Sequence, residues 1–158
     1  RHSDFIKEKE RQLSILEREA FHLGISFVQL KGNIAVISNG AGLVMATLDL
    51  VNYYGGKPAN FLDIGAGAGM KEIFEGLKIL LEEKPKGIFI NIFAGMTRCD
   101  EIATGIIKFK RKYKTKILIV VRMIGTNENQ AKKILEKENI EMLDSMEDCV
   151  KKIVNLVN

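Results

Sequence analysis

The sequence predicts an α/β fold in which five parallel strands are covered by helices on both faces. Short apolar runs alternate along the chain with longer segments of helical periodicity, as in repeated strand–helix units. The runs are apolar throughout rather than at every second residue, which is typical of strands buried on both faces of a parallel sheet. A five-stranded sheet of this kind favours a flavodoxin-like three-layer sandwich with the strand order 2-1-3-4-5.

The amino-terminal segment differs from the rest of the chain. Residues 4–22 are highly charged and only loosely periodic, and they predict a helix that packs outside the domain or joins it to an upstream one. Gly24 would end that helix. The chain is therefore divided into a helix or linker over residues 1–24 and a flavodoxin-like domain over residues 25–158.

The domain then follows a regular alternation. After a short extended piece at 25–30, strands are predicted at 33–38, 60–64, 87–93, 116–122 and 140–143. Helices are predicted at 40–54, 70–81, 98–110, 127–137 and from 145 onward. Two of these helices should begin with capping boxes, Thr97 with Asp100 and Ser145 with Asp148.

Composition excludes several classes of function. An apolar fraction of 46% and a charged fraction of 28% over 158 residues are those of one soluble globular domain. The net charge of +4 is interleaved with acidic residues, and the basic run at 108–114 falls at a predicted helix end, where it complements the helix dipole. We therefore expect no nucleic-acid partner. No apolar stretch is long enough to span a membrane and no signal peptide is recognised, so a cytoplasmic location without membrane contact is expected.

Cysteine and histidine are scarce. Cys99 and Cys149 are far apart and form no CxxC pattern, so neither a disulfide nor a metal site is predicted. His2 and His22 both precede the alternating part of the chain. Histidine chemistry at this domain would therefore have to come from another polypeptide.

Two glycine-containing loops are the candidate site. In an open parallel sheet, ligands bind beyond the carboxyl ends of the strands where the strand order reverses, here between the first and third predicted strands. The loops that follow these strands are 38–42 and 94–98, and both lead directly into helices. Glycines allow close approach of a ligand, and first-turn N–H groups attract anions, so the pair predicts an anion site unless the glycines serve only as tight turns.

A third loop, at 61–69, resembles the first motif of S-adenosylmethionine-dependent methyltransferases. That interpretation requires the loop after the first strand, whereas a complete strand–helix unit precedes it. Nicotinamide binding is disfavoured because Gly65, Gly67 and Gly69 lack the G-x-G-x-x-G spacing. A phosphoacceptor receiver is disfavoured because Asn39 and Asn91 stand where such domains need acidic residues.

Three residues with reactive or charged groups have ordinary structural explanations as well. Cys99 lies in the first turn of a predicted helix, where a packed thiol is expected rather than a nucleophile. Asp63 ends a strand and should cap the amides of the following loop rather than act as a base. Arg98 could balance the charge of a substrate or phosphate, or it could pair with an acidic neighbour or a partner subunit.

Four motifs together resemble one family. They are Gly32-Asn33-Ile34, the segment Asn39 to Asp49 (NGAGLVMATLD), the segment Gly55 to Asp63 (GGKPANFLD) and the segment Asn91 to Ala103 (NIFAGMTRCDEIA). In order and spacing, from about Arg18 to the end, they resemble the carboxyl-terminal domain of succinyl-CoA synthetase β subunits.

The resemblance implies a part of a ligase rather than a whole enzyme. The family forms succinyl-CoA from succinate, coenzyme A and a nucleoside triphosphate through a phosphohistidine. That histidine belongs to the α subunit, so the resemblance implies an α-subunit partner, no catalytic residue in this chain and no turnover by the domain alone. An ATP-grasp domain outside this chain would hold Mg²⁺ and ATP or GTP, CoA would be held mainly by the α subunit, and this domain would bind no cofactor or metal.

The resemblance also assigns roles to particular residues. Asn39 should hydrogen-bond the carboxylate of succinate or a related dicarboxylate, and Gly95, Met96 and Thr97 should offer backbone amides to the same substrate. The helix start formed by Gly95, Thr97 and Arg98 should face the phosphohistidine. Ala94, Met96 and Thr97 depart from the family pattern, so the acid itself stays open between succinate, malate and others. The alternatives are a stand-alone module that binds a small anion and, last, a methyltransferase.

Overall fold

The computed structural model describes residues 3–4 and 14–158. Most of the predicted helix over 4–22 lies outside the described residues. Within them the chain alternates strands and helices, and the strands are β1 (Ser26–Gln29), β2 (Ile34–Ser38), β3 (Asn60–Asp63), β4 (Gly87–Ala94) and β5 (Leu118–Gly125). The helices are α1 (Ile15–His22), α2 (Ala41–Tyr53), α3 (Met70–Glu82), α4 (Cys99–Tyr113), α5 (Glu128–Glu136) and α6 (Met146–Val157).

Helix α1 begins at a capping box. The Ser14 hydroxyl accepts a hydrogen bond from the Glu17 N–H, and the Glu17 carboxylate accepts one from the Ser14 N–H, both at 3.1 Å. Ala20 is fully buried, in the same apolar cluster as Phe27 of β1. Helix α1 is therefore packed against the domain, and the proposed boundary between residues 24 and 25 stays a prediction.

The five-stranded sheet has the order β1-β3-β2-β4-β5. The α/β class is confirmed, but the prediction of an all-parallel sheet is wrong. The second, first, third and fourth predicted strands do lie side by side in that order, as β3, β2, β4 and β5, and the sheet departs from the predicted order 2-1-3-4-5 only at its two edges. The short piece before β2, predicted only as extended, is an edge strand antiparallel to β3. The strand predicted at 140–143 is reduced to a single bridge between Val121 and Met142. The pairs β2–β3, β2–β4 and β4–β5 are parallel, as expected.

Apolar side chains cover both faces of the sheet. One cluster joins the sheet to α2 and α6, with Val44, Val51, Phe89 and Ile153 fully buried. The larger cluster joins the other face to α1, α3, α4 and α5, and includes Leu77, Ile106 and Leu135. At about 25 cal/mol per Å² of buried apolar surface, these clusters supply most of the force that holds the layers together.

The helix ends correct one prediction, bear out a second in part and bear out a third in full. Thr97 does not cap α4, because the N-cap is Arg98 and no side chain caps this helix. Ser145 does cap α6, accepting a hydrogen bond from the Asp148 N–H at 3.2 Å, but no return bond from the Asp148 carboxylate to the Ser145 N–H completes the predicted capping box. The basic run meets the carboxyl end of α4, where Arg111 pairs with Glu138 at 2.5 Å. None of the helices in the described part of the chain is long and apolar enough to cross a membrane.

Candidate functional site

The two predicted loops lie side by side at the carboxyl end of the sheet. β2 and β4 are parallel neighbours, with Ser38 opposite Asn91, so the chain leaves both strands at the same edge. A cleft of about 410 Å³ opens there. Its lining comes from both predicted loops, from β4 and α2, and from the third glycine loop: Asn39, Leu43, Ala66, Phe93, Gly95 and Met96.

Asn39 is held by the backbone of β4. Its side-chain N–H donates to the Phe93 carbonyl at 2.8 Å, and its side-chain oxygen accepts from the Phe93 N–H at 3.0 Å. The amide thus copies the pairing of a peptide group and extends the β2–β4 contact past the end of β2. Because an amide nitrogen carries two hydrogens, the second N–H of Asn39, a residue that lines the cleft, has no partner among the described residues.

Asp63 caps the loop that follows it, as predicted, and also accepts a hydrogen bond from a second loop. Its Oδ1 accepts a hydrogen bond from Gly65 N–H at 2.8 Å, which caps the loop that follows β3. The same oxygen accepts from Gly40 N–H at 2.8 Å, in the loop that follows β2. Gly40 and Gly65 have φ values of +92° and +88°, which L side chains rarely adopt.

The segment from Gly95 to Thr97 contains unpaired amides, and two of its residues, Gly95 and Met96, line the cleft. Among the described residues, no acceptor lies within hydrogen-bonding geometry of the N–H groups of Gly95, Met96 or Thr97. Thr97 is buried, and its hydroxyl donates to the Ala66 carbonyl at 2.8 Å. Met96 is 85% exposed, and its side chain lines the cleft with Phe93, which is 59% exposed.

Arg98 and Cys99 follow this segment. Arg98 is paired with Asp100 at 2.6 Å and approaches Glu101 at 3.7 Å, so in this structure it meets acidic neighbours. The hydrogen bond from Arg98 lowers the pKa of Asp100 below its usual value. The Cys99 side chain is completely buried, and burial raises the pKa of its thiol to about 11, which confirms a packed thiol rather than a nucleophile.

Acidic side chains stand at both helix starts beside the cleft. The first turn of α2 carries no acidic residue, but the Asp63 carboxylate accepts the N–H of Gly40, the N-cap residue of α2, and so offsets the positive end of this helix. The first turn of α4 contains Asp100 and Glu101, which offset the positive end of that helix. Neither helix start is therefore free of a neighbouring carboxylate.

A buried polar network supports the cleft from below. The Asn91 amide donates to the Thr47 hydroxyl at 2.9 Å and accepts from the Arg122 guanidinium at 2.9 Å. The Ser38 hydroxyl donates to the Asn91 carbonyl at 2.5 Å. Asn91 thus connects β4 with β2, α2 and β5, because buried polar groups are stable only when they are paired.

Sequence reasoning missed three lining residues, Leu43, Ala66 and Phe93. The glycine loop containing Ala66 was considered only for methyltransferase chemistry and nicotinamide binding, although it follows a strand that neighbours β2. Parallel neighbours end at the same edge of a sheet, and that rule places this loop beside the other two. Over residues 3–4 and 14–158, no group of three or more His, Cys, Asp or Glu side chains is arranged to hold a metal ion.

The fold and cleft define an α/β domain with a cleft at the carboxyl end of its sheet. The chain belongs to the CoA-ligase family, whose model matches residues 37–153. It is 46% identical over 157 residues to the succinate–CoA ligase [ADP-forming] subunit beta of Staphylothermus marinus, covering 99% of this chain and 41% of that protein. It is 46% identical over 159 residues to the succinate–CoA ligase [GDP-forming] subunit beta of Thermus thermophilus, covering 99% and 42%.

The chain therefore spans about two fifths of the length of these curated relatives. Solved structures share the fold at lower identity. An ATP citrate lyase from Methanothrix soehngenii, in complex with citrate and coenzyme A, superimposes with a TM-score of 0.74 at 18% identity, over 92% of this chain and 42% of that one. A dinucleotide-forming acetyl-coenzyme A synthetase from Ca. Korarchaeum cryptofilum gives a TM-score of 0.69 at 18% identity, over 82% and 34%. Membership of the CoA-ligase family removes the methyltransferase alternative.

Proposed function

We propose that this domain is the carboxyl-terminal part of a succinate–CoA ligase β subunit and forms one wall of the site that binds the acid. The whole enzyme would make succinyl-CoA from succinate, CoA and ATP or GTP through a phosphohistidine on an α subunit. One observation carries the proposal: the cleft is lined by both loops that the family resemblance singles out, through Asn39, Gly95 and Met96.

The acid carboxylate would bind to neutral N–H donors rather than to a cation. The unpaired amides of Gly95, Met96 and Thr97 can each donate one hydrogen bond, and the second side-chain N–H of Asn39 can donate another. Leu43, Phe93 and Met96 supply apolar contacts for the methylene groups of a small dicarboxylate.

The start of α4 would face the phosphohistidine. Gly95, Thr97 and Arg98 lie at or just before this helix start. Arg98 is half-exposed on the surface, and exchanging its contact with Asp100 for a phosphoryl group costs little because exposed ion pairs are weak. The domain binds no nucleotide or metal in this proposal; Mg²⁺ and ATP or GTP belong to an ATP-grasp domain, and CoA mainly to the α subunit.

A chimera tests the proposal. The matched region of the Thermus thermophilus β subunit is replaced by this chain and combined with the α subunit of the same enzyme. We expect an assembled complex by analytical ultracentrifugation and acid-dependent formation of an acyl-CoA. No turnover is expected from this chain without the α subunit. Assaying succinate and malate in parallel identifies the acid.

Replacing Asn39 by Ala in this chimera removes two hydrogen bonds to Phe93 and one donor to the acid. We expect the KM for the acid to rise by roughly one to two orders of magnitude, as for a lost hydrogen bond to a charged group. The matched control is Asn52→Ala, on the exposed side of α2. An unchanged KM in Asn39→Ala would remove Asn39 from the acid site, and failure to associate with the α subunit would refute the ligase assignment.

A further inference from the structure

The cleft is bordered by three loops that are joined by side-chain hydrogen bonds into a closed circuit. Asn39 joins the loop after β2 to Phe93 at the end of β4. Thr97, in the loop after β4, joins Ala66 in the loop after β3. Asp63 completes the circuit by joining the loop after β3 to the loop after β2.

Asp63 is the charged member of this circuit. One oxygen, Oδ1, accepts both N–H groups at 2.8 Å, so the positions of Gly40 and Gly65 are both set by the same atom. Hydrogen bonds to a carboxylate are about twice as strong as neutral ones. Both glycines have positive φ, and this conformation turns their N–H groups towards the end of β3.

Each glycine is adjacent to a residue that lines the cleft. Gly40 follows Asn39 and is the N-cap of α2, while Gly65 precedes Ala66. A cap confined to its own loop would need only the Gly65 contact. The second contact, 23 residues back along the chain, fixes the distance between two walls of the cleft.

We propose that Asp63 is a positioning residue for the acid site, which holds Asn39 and Ala66 at the spacing that the acid requires. This deepens the proposed ligase function and rests on it for its kinetic consequence. The carboxylate does not exchange protons with the substrate; it acts through the two amides that it accepts. A base or acid role would require the charge itself, whereas positioning requires only an acceptor at Oδ1.

The first experiment measures amide exchange by NMR in the 158-residue chain. Asp63→Ala removes the acceptor, and we expect the Gly40 and Gly65 amides to exchange roughly tenfold faster or more, with buried strand amides unchanged. Asp63→Asn keeps an oxygen acceptor at this position, so we expect the exchange rates of the two glycine amides to rise only about threefold. Asp49→Ala, on the exposed side of α2, is the matched control. If Asp63→Ala does not fold, Asp63→Leu, which fills the same space without an acceptor, replaces it. Wild-type protection of both glycines in the variant without an acceptor overturns the proposal.

The second experiment measures kinetics in the chimeric ligase. Positioning predicts a KM for the acid raised roughly tenfold in Asp63→Ala and restored to within about threefold of wild type in Asp63→Asn, with kcat retained in both. A kcat lost equally in both variants, with unchanged amide exchange, would assign a direct chemical role and overturn the proposal. An inactive wild-type chimera would refute the ligase function instead. The amide-exchange measurement would still show whether Asp63 holds Gly40 and Gly65 in place.

Discussion

Two carboxyl groups at opposite ends of the sheet differ in whether they accept hydrogen bonds. Asp63, at the carboxyl end of β3, accepts two N–H groups through one oxygen. Glu83 is the C-cap residue of α3, and its Oε1 is buried with no hydrogen-bond partner among the described residues. Burial first, and then the charge of Glu17, raises the pKa of Glu83 to about 7.

The difference lies in the backbone around each group. The turns at Gly40 and Gly65 point N–H donors at Asp63, whereas the end of a helix presents carbonyl oxygens and a partial negative charge. A carboxylate is stabilised in the first setting and destabilised in the second. Loop geometry, rather than residue type, therefore decides whether an acidic residue strengthens this domain.

The largest effect is expected where that loop geometry is broken. Gly40→Ala forces a side chain into φ +92°, which costs about 1–3 kcal/mol of unfolding free energy and displaces the N–H from Asp63. Gly42→Ala is the matched control, because this helical glycine has open space around it and Ala there stabilises by about 0.5–1 kcal/mol. Urea unfolding of both variants measures the contrast. Equal stabilities would mean that the Gly40 turn does not require glycine.

Glu83→Gln tests the other side of the comparison. Because the folded-state pKa of about 7 lies above the ordinary 4.5, the folded chain binds the proton more tightly. The associated stability is fully present below pH 4.5 and is lost as the pH rises to about 7. Gln cannot ionise, so we expect it to raise the unfolding free energy at pH 8 by about 1–2 kcal/mol, after allowance for partial exposure, and to flatten this pH dependence.

The control is Glu82→Gln, an exposed neighbour on the same helix, which should leave stability within about 0.5 kcal/mol of wild type. Thermal unfolding followed from pH 4 to pH 9 measures both variants. A Glu83→Gln curve that keeps the wild-type slope between pH 4.5 and pH 7 would contradict an uncompensated carboxylate at this position.

The sequence predicted those parts of the site that follow from strand order and loop chemistry. The apolar runs at β2 and β4 and the glycines after them were sufficient to place loops 38–42 and 94–98 together, because parallel neighbours end at one edge. Asp63 was predicted as a cap from loop chemistry, because an Asp at the end of a strand commonly accepts hydrogen bonds from the amides of the following loop.

The rest depended on tertiary contacts that no local pattern contains. β1 pairs antiparallel with β3, and its four residues give too little periodicity to reveal a direction. Thr97 matched a capping box, but the hydroxyl is used by Ala66, from a loop more than thirty residues earlier. The pairing of the Asn39 amide with the Phe93 backbone is equally non-local, so the sequence could nominate Asn39 for the site without giving its second role.

The smallest effect is expected at Thr97, where the circuit around the cleft is closed by a neutral donor. Thr97→Val keeps the shape and removes the hydrogen bond to Ala66, for an expected loss of about 1 kcal/mol in unfolding free energy. Thr104→Val is the matched control, since its hydroxyl only adds a second bond to a helix carbonyl, that of Asp100. The Gly65 and Ala68 amides should also exchange faster in Thr97→Val, because the loop between them loses one of its two side-chain anchors. If Thr97→Val matches Thr104→Val in stability and in amide exchange, Asp63 is the only side chain of the circuit that holds the loop after β3. The contrast with Glu83 would then depend only on the hydrogen bonds that the Asp63 carboxylate accepts.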